Sequence, residues 1–284
     1  MAASGMHPSD STPRTLVKVC AVTKHFLRRH HLVGKGFVVR AVDGVDLEIR
    51  QGQTLALVGP SGSGKSTLAR CVLRLEAPTS GQIWFDGVDI GALGGNQLRK
   101  LRPRMQLVFQ DAARAMNPRL SAADIVAEPL RIQNRGTLAE QRHRAVELME
   151  RVGLSKNMAD RCPLEMSGGQ RQRLAIARAL ALAPQFIVLD EALSALDRIV
   201  QAQIANLLLE LQRELHLTYL LIAHDLNLAD HLADEIAVMS SGRIVARAAT
   251  PEVTSQALLV ALLAAQGAIA TSPPKPEPEE LKTI

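Results

Sequence analysis

The residues Gly59-Pro60-Ser61-Gly62-Ser63-Gly64-Lys65-Ser66-Thr67 follow the apolar run Leu55-Ala56-Leu57-Val58 and open a helical pattern over 66–75. In such a loop the glycines let backbone N–H groups turn inward onto phosphate oxygens, where a side chain would obstruct them. Lys65 supplies a positive charge for the β- and γ-phosphates and Ser66 a hydroxyl for Mg²⁺, while the helix adds its positive dipole end. That chemistry is the holding of ATP with Mg²⁺. A second apolar run, Phe186-Ile187-Val188-Leu189, ends in Asp190-Glu191. Adjacent carboxylates can divide the labour, Asp190 holding Mg²⁺ through water and Glu191 polarising the water that attacks the γ-phosphate. Gln110, straight after Val108-Phe109, can ligate Mg²⁺ or the water from the other side. His224, after Leu220-Leu221-Ile222-Ala223, can contact the γ-phosphate. Met166-Ser167-Gly168-Gly169-Gln170 forms another glycine-bearing helix start, ahead of a helical stretch over 171–182. One ATP needs one such loop, so the second raises the question of which nucleotide it serves.

These residues need strand ends and helix starts to carry them. Alternating side chains predict strands over 16–19 and 42–49, with an irregular insert over 27–36 that holds His30 and His31. A strand, the glycine loop and a helix follow as a β-α unit. A short β section over 81–90 comes next, and Met105-Gln106-Leu107-Val108-Phe109 reads as a buried strand ending at Gln110. Residues from about 112 to 180 turn rich in Ala, Leu, Arg and Glu with helical periodicity, which reads as a helical insertion. Strands resume over 186–189 and 219–223, with a helix over 199–215 between them. This alternation predicts an α/β core with a largely parallel sheet. Gln110, Asp190-Glu191 and His224 then fall where consecutive core strands converge on one edge.

Composition sets outer bounds. The chain of 284 residues is 47% apolar and 21% charged, as in a soluble globular protein. Its net charge of +5 is dispersed, and an aromatic share of 2% offers few stacking platforms, so nucleic acid is not an expected partner. No apolar run approaches the ~20 residues of a membrane span, and 257–265 reads as a packed terminal helix. The first residues lack the basic and apolar parts of a secretion signal. Cys20, Cys71 and Cys162 are few, scattered and odd in number, which suits reduced thiols. The expected organisation is a disordered segment over 1–14, an ATPase domain over 15–250 with its helical part at about 112–180, and a terminal helix with a disordered Pro/Glu-rich tail over 251–284.

The set Gly59 to Thr67, Gln110, Ser167-Gly168-Gly169-Gln170, Asp190-Glu191, Ser194-Ala195-Leu196-Asp197 and His224 resembles the ATP-binding-cassette ATPases, with all motifs in order across about 15–250. The resemblance implies a RecA-like P-loop core with an antiparallel β section and a helical subdomain, and head-to-tail pairing with a second ATPase subunit. Ser167, Gly168, Gly169 and Gln170 of one subunit would then cover the ATP held by the glycine loop of the other, with 194–197 along the interface. It also implies an aromatic that stacks on adenine, for which Phe26 is the candidate and Phe37 the alternative.

Within that family the chain is similar to the ATPases of oligopeptide, dipeptide and nickel importers. The markers are Val108-Phe109-Gln110-Asp111, Met116-Asn117-Pro118-Arg119, Ala127-Glu128-Pro129-Leu130 and the run over 167–178. The implied partners are a second and distinct ATPase subunit, two membrane permease subunits and a periplasmic or lipid-anchored solute-binding protein. The implied place is the cytoplasmic face of the inner membrane, held peripherally through the permeases, with 111–119 as the transport-coupling surface. Ala192, where peptide importers usually carry proline, and Ala112-Ala113-Arg114-Ala115 look more like the second ATPase of nickel importers. The expected cargo is therefore nickel or a metal chelate, with peptide as the alternative and a soluble, non-transport cassette ATPase as a remote one. His30 and His31 are expected to be solvated and to bind no transition metal.

Overall fold

The computed structural model describes residues 14–28, 37–110 and 115–250, together with Ala264. The expectations for 1–13, for His30 and His31, for 111–114 of the coupling stretch, and for the terminal helix and tail beyond 250 apart from Ala264 lie outside the described residues. Two long strands, β1 (Thr15–Arg28) and β2 (Phe37–Arg50), come first, then β3 (Thr54–Val58) and helix α1 (Lys65–Val72). Strands β4 (Ser80–Phe85) and β5 (Val88–Asp89), helix α2 (Gly95–Leu101) and β6 (Met105–Phe109) follow. Helices α3 (Ala122–Ile132), α4 (Leu138–Arg151) and α5 (Gly168–Leu180) precede β7 (Phe186–Asp190). The remainder is α6 (Arg198–Leu215), β8 (Thr218–Ala223), α7 (Leu226–Leu232), β9 (Glu235–Ser240) and β10 (Arg243–Ala249).

The strands form two sheets. The larger has the order β10-β9-β3-β8-β7-β6. Its strands run parallel from β9 to β6, and β10 lies antiparallel on β9. Every position of β3, β7 and β8 is buried, as expected for parallel strands covered on both faces. Successive residues split between the faces: Leu55 and Leu57 pack with α1, β1 and β2, whereas Ala56 and Val58 join the core made with α3 to α6. The smaller sheet, β2-β1-β4-β5, is antiparallel and lies over α1, whose Leu68, Ala69, Cys71 and Val72 are buried beneath it.

Local chemistry sets several boundaries. α1 stops at Val72, before the expected 75, because Arg74 takes a left-handed conformation (φ 53°) and the Leu75 amide bonds back to the Arg70 carbonyl at 2.8 Å. α5 begins at Gly168, ahead of the expected 171, because Ser167 caps it. α4 opens on a reciprocal Thr137–Glu140 capping box. β1 runs to Arg28 through the polar stretch Thr23-Lys24-His25, where pairing with β2 and β4 outweighs weak local alternation.

Candidate functional site

The glycine loop joins the buried end of β3 to the start of α1, and its backbone is wedged between two neighbouring strands, β9 and β2. A Cβ on Gly59 would sit 2.1 Å from the Met239 carbonyl oxygen of β9, and one on Gly64 would sit 1.9 Å from that of Ala41 on β2. With φ of 147° and 106°, both positions need glycine on conformational as well as steric grounds. Lys65 is 4% exposed and folds over the loop, its Nζ donating to the Gly59 and Pro60 carbonyls at 2.9 Å each. Burial lowers the pKa of Lys65, opposed by the nearby charges of Glu191 and Asp190. The Ser63 hydroxyl is buried in the same loop with no hydrogen-bond partner among the described residues. A buried unpartnered hydroxyl beside inward-turned glycines suits a phosphate oxygen, which would supply the missing acceptor.

The register of the large sheet places the remaining residues. Phe109 pairs with Asp190 and Asp190 with Ile222, so Gln110, Glu191 and Ala223 emerge at one level, with His224 next. Val58 pairs with Ala223 and with Val238, which brings the glycine loop to the same edge. Crevices beyond the carboxyl ends of parallel strands are where such folds bind ligands. Here Ser66 Oγ donates to Asp190 Oδ1 at 2.7 Å, so a hydroxyl and a carboxylate meet across the loop. These oxygens fit a hard cation such as Mg²⁺, which prefers oxygen ligands. Burial raises the Asp190 pKa above the usual carboxylate range; the Ser66 hydrogen bond works against it and the charge of Glu191 adds to it. Among the described residues, no group of three or more His, Cys, Asp and Glu side chains could hold a metal unaided.

Glu191 has a left-handed backbone (φ 51°), turning the chain sharply off β7. Its Oε1 lies 2.5 Å from His224 Nε2, and its amide donates to the Ile222 carbonyl at 3.2 Å. Ser194, whose contribution the sequence did not disclose, donates its hydroxyl to the Glu191 carbonyl at 2.9 Å and accepts from Gln110 Nε2 at 3.4 Å. Gln110 is thus tied to the turn after Glu191, with no hydrogen bond to Ser66 or Asp190 among the described residues. Asp197 caps α6 by accepting from the Val200 amide at 2.9 Å.

Ser167 to Gln170 open α5. The Gln170 amide donates to Ser167 Oγ at 3.3 Å, and the Ser167 amide to Gln170 Oε1 at 2.9 Å, closing a capping box at the start of α5. A Cβ on Gly168 would lie 3.6 Å from Leu196 Cδ2, and one on Gly169 2.6 Å from Val200 Cγ1, so this turn packs on the start of α6. No hydrogen bond or ion pair joins 167–170 to 59–67 among the described residues. Phe26 pairs with Val39 on β2, and Phe37 pairs with Arg28 and is 40% exposed. Ala192 is 3% exposed and belongs to the core shared with α3 to α6.

A glycine loop between a parallel strand and a helix, an antiparallel sheet over that helix, and helices inserted between β6 and β7 define the nucleotide-binding fold of ATP-binding cassettes. The fold agrees with the ATP-binding cassette MJ0796 in its dimeric post-hydrolysis state bound to ADP and Pi, at TM-score 0.72 and 33% identity over 82% of this chain and 98% of that one. It agrees too with cbiO1 from Clostridium perfringens, part of the ABC transporter complex cbiONQ, at TM-score 0.74 and 27% identity over 87% and 94% of the two chains. The chain belongs to the ABC transporter family, whose sequence profile matches residues 42–194.

Similar proteins include a probable peptide ABC transporter ATP-binding protein, y4tS, of Sinorhizobium fredii (49% identity, 81% of this chain, 65% of the relative). The oligopeptide transport ATP-binding protein AppF of Bacillus subtilis is 46% identical over 81% of this chain and 71% of its own length. OppD of Mycobacterium tuberculosis, also an oligopeptide transport ATP-binding protein, is 48% identical over 84% of this chain but only 38% of its own length. The match therefore spans 65% of the Sinorhizobium protein and well under half of the mycobacterial one. All three are named for peptides or oligopeptides, and the expected preference for nickel finds no support among them. Ala192, on which that expectation leaned in part, is buried in the core.

Proposed function

We propose that this chain is the ATP-hydrolysing motor of an ABC importer for di- or oligopeptides, working with permease subunits, a second ATPase subunit and a solute-binding protein. The observation that carries the motor reading is the convergence of the glycine loop, Ser66–Asp190 and Glu191–His224 on one edge of the parallel sheet. The peptide cargo draws its support from what the similar proteins are named for.

In this reading Gly59, Pro60, Ser61, Gly62, Ser63, Gly64, Lys65, Ser66 and Thr67 cradle the phosphates, and the Ser63 hydroxyl gains the acceptor it lacks. Phe26 stacks on adenine. Ser66, Asp190 and Gln110 would hold Mg²⁺, which when bound would neutralise charge on the β- and γ-phosphates. Glu191 accepts a proton from the attacking water as the new oxygen–phosphorus bond forms and the bridging bond to the β-phosphate breaks. His224 holds one carboxylate oxygen, leaving the other for that proton. The turn through Ser194 fixes the backbone from which Glu191 projects. Ser167, Gly168, Gly169 and Gln170 serve the nucleotide of the partner subunit, a role supported by the lack of any hydrogen bond or ion pair from them to 59–67 among the described residues. Uptake of labelled peptide and of labelled nickel in a strain lacking this chain tests the whole reading. Loss of peptide uptake alone is expected; loss of nickel uptake with peptide uptake intact would overturn the cargo.

A further inference from the structure

A ring that stacks on a base has two faces, and one face of Phe26 is already covered. On β1, Lys24 and Phe26 are two residues apart, and the Lys24 ammonium lies over the Phe26 ring, 4.9 Å from its centroid. That ammonium is anchored: Nζ donates to the Ala77 carbonyl at 2.9 Å and pairs with the Glu76 carboxylate at 3.0 Å, and the Lys24 side chain is only 15% exposed. Glu76 and Ala77 lie just beyond α1, and the Glu76 amide returns to the Arg70 carbonyl at 3.2 Å. Further bonds stitch this segment to β1, from the His25 amide to Thr79 Oγ1 at 3.0 Å and between the Thr23 and Ser80 hydroxyls at 2.7 Å. Lys24 therefore links the ring to the far end of the helix whose first residue is Lys65.

We propose that Lys24 is a positioning residue for nucleobase recognition, its ammonium clamping one face of Phe26 and leaving the opposite face for adenine. The proposal rests on the reading of Phe26 as the base-stacking ring. A cation over an aromatic face is attracted to the ring quadrupole, which holds the ring plane in place before any ligand arrives. A ring already fixed loses less freedom on binding, so the stack forms at lower cost. With its ammonium engaged by Phe26, Ala77 and Glu76, Lys24 acts through Phe26.

The test uses the full chain and two probes, ATP and inorganic tripolyphosphate, which shares the phosphates and lacks the base. Phe26→Ala should weaken ATP binding about 5- to 100-fold, the range of one base–aromatic stack, and leave tripolyphosphate unchanged. Lys24→Met keeps the aliphatic stem and removes the charge; it should weaken ATP about two- to fivefold, again without effect on tripolyphosphate. Lys24→Arg should restore most of the loss, and Lys24→Met in the Phe26→Ala background should add nothing, because the two act as one unit. Unchanged ATP affinity in Lys24→Met, an equal loss for both probes, or an additive double variant would overturn the role of Lys24. Unchanged ATP affinity in Phe26→Ala would instead overturn the stacking reading itself. If Lys24→Met does not fold, Glu76→Gln loosens the same ammonium: a loss confined to ATP supports the proposal, and no loss overturns it.

Discussion

Replacing Gly64 by alanine separates two reasons for a glycine. Gly64 and Gly62 both have positive φ, 106° and 81°, yet their surroundings differ. A Cβ at Gly62 meets nothing within 4 Å, whereas one at Gly64 lands 1.9 Å from the Ala41 carbonyl oxygen and 2.9 Å from Met239 Cε. The methionine methyl can swing away. The Ala41 carbonyl is main chain, flanked by Val42 and Arg40, which pair with Lys24 and His25 on β1, so it can move only with the backbone of β2. Left-handed strain alone costs roughly 1–2 kcal/mol for a residue with a Cβ, which is the expectation for Gly62→Ala. Gly64→Ala carries similar strain and a forced backbone shift, and overpacking of that kind costs about 1–3 kcal/mol. The two variants should therefore differ by about 1–3 kcal/mol, with Gly64→Ala the less stable. Equilibrium denaturation in urea gives the comparison directly, provided the slope is shared, so that midpoints report stability. Equal midpoints, or a lower midpoint for Gly62→Ala, would refute the claim that β2 crowds the start of α1.

Three further outcomes follow from the site. Glu191→Gln should retain ATP binding but lower turnover by about 10²–10⁴-fold, the usual weight of a general base; turnover at the parent rate in a phosphate-release assay would remove Glu191 from that role. Ser66→Ala takes away the hydrogen bond that favours ionised Asp190, so it should cost about 1–3 kcal/mol at neutral pH and less in acid, where Asp190 is protonated; denaturation at both pH values checks the difference. Burial holds the Lys65 pKa below 10.5, and phosphate favours its charged form. ATP affinity should therefore hold below the lowered pKa and fall as pH rises through it, before 10.5 is reached; calorimetric titration that finds no alkaline loss would exclude Lys65 as a phosphate partner.

The strands that deliver the site are legible because each is a short, mostly apolar run that ends at a polar residue or a glycine. Met105–Phe109 needed no adjustment, and the runs ending at Asp190 and Ala223 required only small changes. What could not be read is the set of contacts between distant segments. Ser66 meets Asp190 across 124 positions and His224 meets Glu191 across 33, and no local pattern encodes either distance. The wall of the glycine loop is a sharper case. It is made by carbonyls of Ala41 and Met239, main-chain atoms that carry no residue signature. β9 and β10 received no assignment from the sequence, though β9 pairs directly with β3 and supplies that wall. The capping box at Ser167 was legible as a helix start, but its packing on Leu196 and Val200 depended on where α6 would begin.

The inference of nickel as cargo, which the similar proteins do not support, leaned on a residue whose setting bears on reading any motor subunit. Ala192 follows the carboxylates at the end of β7 and is 3% exposed, enclosed by the core beneath α3 to α6. A residue so placed can report on the packing of the turn that holds Glu191, whose backbone already sits at φ 51°. Its described surroundings are the hydrophobic core, which carries no group suited to telling a peptide from a metal chelate. With permease subunits and a solute-binding protein as the proposed partners, we expect those subunits to select the cargo. Differences at Ala192 should then alter the rate of ATP turnover without altering which cargo is moved. Ala192→Pro, which restores the residue usual in peptide importers and stiffens the turn, should change turnover while leaving the ratio of peptide to nickel uptake fixed. A shifted ratio in uptake measurements would show that the motor takes part in selection.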